Sequence, residues 1–264
     1  MKIAVIIKRV PDTASLIKIG ADGKSIAMEG LKFVLSPYDE HAVEQAMLIK
    51  EAETATGAGT TDVVVVSAGG EECKETMRLA LAMGADSGLL IKDPRLANAS
   101  SKPVAVALAA ALKTLQPDLI FSGKQAVDDD ASQVGERVAE IMGIPHVSTV
   151  TAFKLADAKA TVTREVEGGN YTMEVTLPAL FTAQKGLNAP RYPTLPNIMK
   201  AKKKDIKEVS LADLGLSDAD AGSQLEICAV EAPKPRSAGK ILEGDNAGRV
   251  SQLIKALHEV HKAF

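Results

Sequence analysis

The chain contains no tryptophan, and aromatic residues make up only 3% of its 264 positions. Proteins that grip single-stranded nucleic acid stack bases on aromatic side chains, at about 1–3 kcal/mol per base; this chain has little to stack with. Its core must be filled by Ala, Val, Leu and Ile. Cys73 and Cys228 are the only two cysteines and no CxxC occurs, so neither a zinc knuckle nor a thioredoxin motif can be drawn. Isolated thiols suit a reducing compartment. No apolar run approaches the roughly 18 residues that a spanning helix needs. The N-terminal run, residues 3–7, is closed at once by Lys8 and Arg9 and is too short for a secretory signal. A cytoplasmic protein is expected, or one whose matrix-targeting segment is absent. Net charge is −3, which supplies no global pull toward nucleic acid. The fingerprints GxGxxG and GxxxxGK[ST] are missing too, which disfavours a standard dinucleotide fold and a P-loop NTPase. No Ser/His/Asp order, nucleophile elbow or paired-carboxylate arrangement suggests catalysis.

What is present is a regular alternation. Apolar, β-branched runs at residues 3–7, 63–66, 89–91 and 118–122 read as strands buried on both faces. Between and after them, residues 39–54, 71–83, 104–115 and 131–142 read as helices, with Gly84, Pro117 and Gly143 as stop signals. This pattern predicts an α/β fold with a mostly parallel sheet covered by helices on both faces. After Pro145 the period changes. Residues 149–155, 160–166 and 171–177 alternate polar and apolar, with Gly168-Gly169-Asn170 as a turn, and read as added antiparallel strands. Leu180-Phe181-Thr182 is placed back in the main sheet. Residues 184–204 hold Pro190, Pro193 and Pro196 with little periodicity, and so long a loop usually carries function. Residues 1–231 are expected to form the nucleotide-binding domain. Residues 232–264 form a C-terminal arm: a Pro-containing linker, then a helix over 245–264 with Val250, Leu253, Ile254, Leu257 and Val260 on one stripe.

In a parallel sheet, ligands bind beyond the carboxyl ends of the strands. Two loops lie there: Ser67-Ala68-Gly69-Gly70, and the run from Ser122 and Gly123 through Asp130. The second leads into a helix whose first amides could hold a phosphate, with Ser132 and Gln133 adding donors. Its aspartates have another explanation, since acidic side chains stabilise a helix N-terminus by about 0.3–1 kcal/mol each. Lys200, Lys202, Lys203 and Lys204 make a solvated run, a nucleic-acid patch or a docking patch for an acidic protein. His258 and His261 could share a helix face, but no third metal ligand is near in sequence.

Residues 162–169 and 187–204, which include Leu187-Asn188-Ala189-Pro190-Arg191-Tyr192-Pro193-Thr194-Leu195-Pro196-Asn197-Ile198-Met199-Lys200, strongly resemble the signature region of the electron transfer flavoprotein beta subunit. So do residues 5–12, 79–86 and 123–130, in collinear order over nearly the whole chain. The resemblance implies a Rossmann-like three-layer sandwich of the adenine-nucleotide alpha-hydrolase type, a heterodimer with an alpha subunit that holds most of a redox-active FAD, and a structural AMP on this chain. It implies an electron carrier rather than an enzyme, taking electrons from primary dehydrogenases to an acceptor such as a membrane quinone oxidoreductase. The AMP pocket it implies contains Ile6, Ser36, Pro37, Tyr38, Asp39, Ala68, Gly123, Lys124, Gln125, Ala126, Val127, Asp128, Asp129, Asp130, Ala131, Ser132, Gln133 and Val134. Relatives often carry Ala at position 6 and Cys at position 68, so those contacts fall to backbone here. Tyr38 matches an aromatic that approaches the flavin ring, and Thr13 stands where some relatives have Tyr. Residues 184–204 become the docking loop, with Leu195 as apolar anchor and Arg191, Tyr192, Pro196 and Lys200 around it. Leu195 has an interior explanation as well, packing the loop on the sheet. No nucleic acid partner and no membrane insertion are expected. The competing reading is a free-standing adenine-nucleotide-binding module of the stress-protein type.

Overall fold

The computed structural model describes residues 1–262 apart from Ala58, Gln224, Ser237 and His261. The chain runs β1 (Lys2–Ile6), β2 (Arg9–Pro11), β3 (Phe33–Leu35), α1 (Pro37–Thr56), β4 (Asp62–Gly69), α2 (Cys73–Met83), β5 (Ser87–Lys92), α3 (Ser101–Leu115), β6 (Leu119–Gly123), α4 (Val134–Met142), β7 (His146–Ala156), β8 (Lys159–Val166), β9 (Gly169–Thr176), β10 (Ala179–Ala183), α5 (Leu195–Ala201), β11 (Ile206–Val209), α6 (Asp218–Ala221) and α7 (Asn246–Lys255). A 3₁₀ turn, Pro94–Asn98, precedes α3. The strands form a nine-stranded sheet in the order β11-β5-β4-β1-β6-β10-β7-β8-β9, while β2 and β3 make a separate antiparallel ribbon.

From β11 to β7 every neighbour is parallel; β8 and β9 add antiparallel to that edge. Side chains alternate along a strand, so buried strands feed two cores. Ile3, Val5, Val63, Val65 and Phe121 face α1 and α2. Ala4, Ile6, Val64, Val66 and Ile120 face α3 and α4. This is why the runs at 3–7 and 63–66 are apolar at every position rather than at every second one. Aromatics are few but concentrated: Phe121 and Phe181 each lie edge-on against Phe153 with centroids 5.2 Å apart, and are tilted against each other at 5.8 Å. Helix α3 stops at Gln116, which takes a left-handed φ of 49°, because the residue before Pro117 is excluded from the helical region.

The α/β sandwich, its mostly parallel sheet and the added antiparallel strands match the expected fold. Several features differ from that expectation, among them β2, β3 and α6, which the sequence pattern did not mark. The supposed loop 184–204 contains α5. The edge strand β11 has a half-polar sequence, IKEV, with too weak an alternation to read. The helix expected from Ala131 begins at Val134, because Asp130 and Ser132 adopt left-handed φ values of 47° and 49°. Just before the arm, the Val230 amide donates to Gly23 O at 2.9 Å, and Glu226 pairs with Lys24 at 3.5 Å. Helix α7, capped by Asp245 accepting from the Gly248 amide, buries none of its residues and continues as a π-helical turn, Ala256–Val260. The end of the expected helix falls on His261, Ala263 and Phe264, outside the described residues, and with it the histidine pair.

Candidate functional site

Strand order reverses at β1: the chain builds outward through β4 and β5 on one side, then returns to place β6 on the other. Ile6 pairs with Val66 and with Ser122 in register. Beyond Ile6, β4 continues to Gly69 and β6 to Gly123 on either side of β1, so the two ligand-candidate loops that follow them flank one crevice, as expected for a topological switch point.

Asp39 organises that crevice. It lies in the first turn of α1, yet its carboxylate serves other segments: Oδ2 accepts from the Lys8 amide at 2.7 Å and Oδ1 from the Gly123 amide at 2.8 Å. One buried side chain thus ties the exits of two adjacent strands to a helix N-terminus. Burial pushes its pKa up to about 7, against the two amides and the Lys8 charge, which favour the carboxylate. Gly123 has no space for a side chain: a Cβ there would stand 2.6 Å from both Asp39 Oδ1 and Tyr38 Cβ. Ser36, whose amide donates to Lys8 O, precedes the helix; its hydroxyl is buried and makes no cap bond.

The loop from β6 to α4 is held by its own side chains and by Lys8. Asp128 and Asp129 accept from Lys8 Nζ at 2.9 and 3.1 Å, Asp129 also accepts from the Ala131 amide, and Asp130 accepts from Gln125. Burial draws the Lys8 pKa down, and its bonds and charge interactions with Asp128 and Asp129 outweigh this to leave it raised. The aspartates are therefore loop braces; the cap position of α4 is Gln133, whose side chain makes no cap bond. Ser122 lies beneath α4: its hydroxyl is buried without a partner among the described residues, and a Cβ on Gly135 would meet it at 2.9 Å. Lys8 and Ser122 belong to the site by position, though neither stood among the implied pocket residues. Their signal in the sequence was the strand end itself.

Lys124 Nζ stands 5.3 Å from the Tyr38 ring centroid. That ring lines a cleft of about 430 Å³ between α1, α2 and the segment before α5. The cleft brings together Pro37, Tyr38 and Val127 from the implied pocket with Arg191 and Tyr192 from the implied docking group.

The electron transfer flavoprotein domain family matches residues 24–214. The chain is 37% identical to electron transfer flavoprotein subunit beta of Bacillus subtilis over 265 residues, spanning all of both chains. It is 41% identical over 245 residues to the subunit of that name from Syntrophomonas wolfei, covering 93% of this chain and 91% of the other. Against that of Mus musculus identity is 40% over 262 residues, 98% of each. The chain belongs to the electron transfer flavoprotein beta-subunit family.

In this beta-subunit fold the residues of the implied docking group divide by direction. Tyr192 is 94% exposed and Leu195 73% exposed, so Leu195 is not packing the loop on the sheet. Pro196 and Lys200 are exposed beside it. Arg191 points inward, to Glu44 and Glu51 on α1. Lys204 also points inward: its Nζ donates to Leu81 O at 3.0 Å and Ala85 O at 2.5 Å, where it complements the C-terminus of α2. Of the lysine run, Lys200, Lys202 and Lys203 face solvent. No helix among the described residues is long and apolar enough to cross a membrane.

Proposed function

We propose that this chain is the beta half of a heterodimeric electron carrier, that it binds AMP in the switch-point crevice, and that it helps enclose an FAD held mainly by an alpha subunit. The observation that carries the nucleotide reading is the buried, unpartnered Ser122 hydroxyl against the first turn of α4. A buried hydroxyl without a partner costs free energy of about 1–3 kcal/mol, and a phosphate at that helix end would satisfy it together with the free amides. Lys8 offsets two of the three nearby aspartates, so the loop tolerates an anion. Ser36, Pro37, Tyr38 and Ala68 would line the rest, with Ile6 and Ala68 contributing backbone.

The FAD supplies the electron uptake and release; this chain's residues supply position. Tyr38 presents an aromatic face to the cleft beside α2, and Asp39 holds that turn of α1 against both strand exits. Tunnelling asks for no acid, base or nucleophile here, only for a rigid wall and a surface that brings a partner near. Tyr192, Leu195 and Met199 form that surface for primary dehydrogenases, and an acceptor such as a membrane quinone oxidoreductase would receive the electrons. The arm, with Val250, Leu253 and Ile254 each about half exposed (55%, 49% and 52%), would be covered by the alpha subunit. The compartment would be the cytoplasm of a bacterium or the matrix of a mitochondrion. The test is mass spectrometry of small molecules released by denaturing the purified heterodimer. One AMP and one FAD are expected; no adenine nucleotide beyond a single FAD would refute the AMP site, and two FAD would make the carrier a bifurcating type.

A further inference from the structure

We infer that Arg191 is a positioning residue for partner docking: with Arg78 it staples residues 192–200 to the body at both ends and sets the exposed apolar face in advance. The inference rests on the docking reading above.

At the first end, the Arg191 guanidinium meets two carboxylates of α1. Nε donates to Glu44 Oε2 at 2.7 Å and Nη2 to Glu44 Oε1 at 2.9 Å, and the Arg191 amide donates to Glu44 Oε2 at 3.1 Å. Nη1 and Nη2 go on to Glu51. Glu44 is 4% exposed, so its charge needs a fork that covers both oxygens, which Arg provides and Lys does not. Glu44 and Glu51 lie two helical turns apart on one face. Just upstream, Asn188 donates to His41 O at 3.0 Å and to Gln45 Oε1 at 3.3 Å. At the second end, Arg78 of α2 donates from Nη1 to Ala201 O at 2.6 Å and Lys204 O at 2.5 Å.

Between these staples α5 lies along α2 but buries little against it. Every residue from 194 to 200 is exposed, and α5 is 7 residues long with only Ala201 buried. Isolated helices below about 12 residues are marginal in water. The shape of this segment is therefore imposed from its ends. A face that is already ordered loses less freedom on docking, so the staples act on partner affinity rather than on the transfer step.

The experiment uses the assembled heterodimer and a primary dehydrogenase of the same organism, reduced by its own substrate. Arg191→Ala should raise amide hydrogen exchange across residues 192–200 by roughly tenfold or more, leave flavin content unchanged, and raise KM for the dehydrogenase roughly tenfold at constant kcat. Arg191→Lys should fall between the two. Leu195→Ala is the companion variant: it should raise KM with no change in exchange. If Leu195→Ala leaves KM unchanged, the docking reading fails. If Leu195→Ala raises KM while Arg191→Ala changes neither exchange nor KM, the docking reading stands and the staple is overturned. Should Arg191→Ala not assemble, Glu51→Gln removes only the outer carboxylate; a KM and an exchange pattern identical to wild type would then refute the proposal.

Discussion

Gly123→Ala tests whether the crevice is built as tightly as its geometry implies. The φ of Gly123 lies outside the left-handed region, so alanine meets no backbone strain and the perturbation is purely steric. The new Cβ would stand 2.6 Å from Asp39 Oδ1, 2.6 Å from Tyr38 Cβ and 2.9 Å from the Tyr38 carbonyl carbon. The last is backbone at the start of α1 and cannot swing aside, so the helix end must move. Overpacking of this kind costs about 1–3 kcal/mol. Moving Asp39 from the Gly123 amide also weakens a hydrogen bond to a charged group, worth about 1.5–3 kcal/mol. A total on the order of 4 kcal/mol, at about 2–4 °C per kcal/mol for a chain of this size, lowers the melting temperature by roughly 10 °C. The assay is thermal unfolding of the purified heterodimer, paired with its content of bound adenine nucleotide, which should fall as well. Gly169→Ala is the control, because nothing lies within 4 Å of its Cβ position. A Gly123→Ala heterodimer that melts within about 2 °C of wild type with full nucleotide content would refute the account of Asp39 as the tie between the strand exits.

Asp39 also predicts a pH dependence. Its pKa is held near 7 against an ordinary 3.8, so between those values the folded chain keeps a proton that the unfolded chain has released. Its contribution to stability is present at low pH and is lost as pH rises through about 7, by on the order of 4 kcal/mol; Asp39→Asn should remove that slope in denaturation curves taken from pH 4 to 8, and identical slopes would disprove the assignment. Phe181→Ala, which empties the centre of the aromatic trio, should cost about 3–5 kcal/mol in urea unfolding; a loss under 1 kcal/mol would mean the trio is not core. Truncation before Ala232 should leave the body's circular dichroism intact but weaken the heterodimer in analytical ultracentrifugation, since three apolar residues of α7 are uncovered on this chain; an unchanged dissociation constant would count against an arm that reaches the alpha subunit.

The sheet was legible because its strands are buried on both faces. A run such as Val63 to Val66 has no other use, and the stop signals around it leave little freedom in the order of elements. The crevice was legible one level up, since any parallel sheet puts its ligand loops at its carboxyl ends. The segment 184–204 was legible only as an unusual stretch: α5 has no buried face to give it a period, so its helix left no trace in the pattern. Strand β11 was lost for the same reason, being an edge strand whose shape comes from β5 and whose Glu208 pairs with Lys74 and Lys92.

What the amino-acid sequence determined by itself was therefore periodicity and punctuation: which segments are the strands and helices of the buried sandwich, and that the sheet is mostly parallel. What only the tertiary structure decided was direction. Asp128 and Asp129 read as helix-capping acids, but they hold Lys8, and Asp39, a residue of the implied pocket, bridges two strand exits. Arg191 and Lys204 read as surface cations, yet both turn inward, while Leu195, an apolar residue with a plausible place in the core, stands in solvent. Local sequence sets a residue's chemistry and its element; which neighbour its side chain reaches depends on segments 30 to 150 residues away, and their approach is set only when the sheet closes.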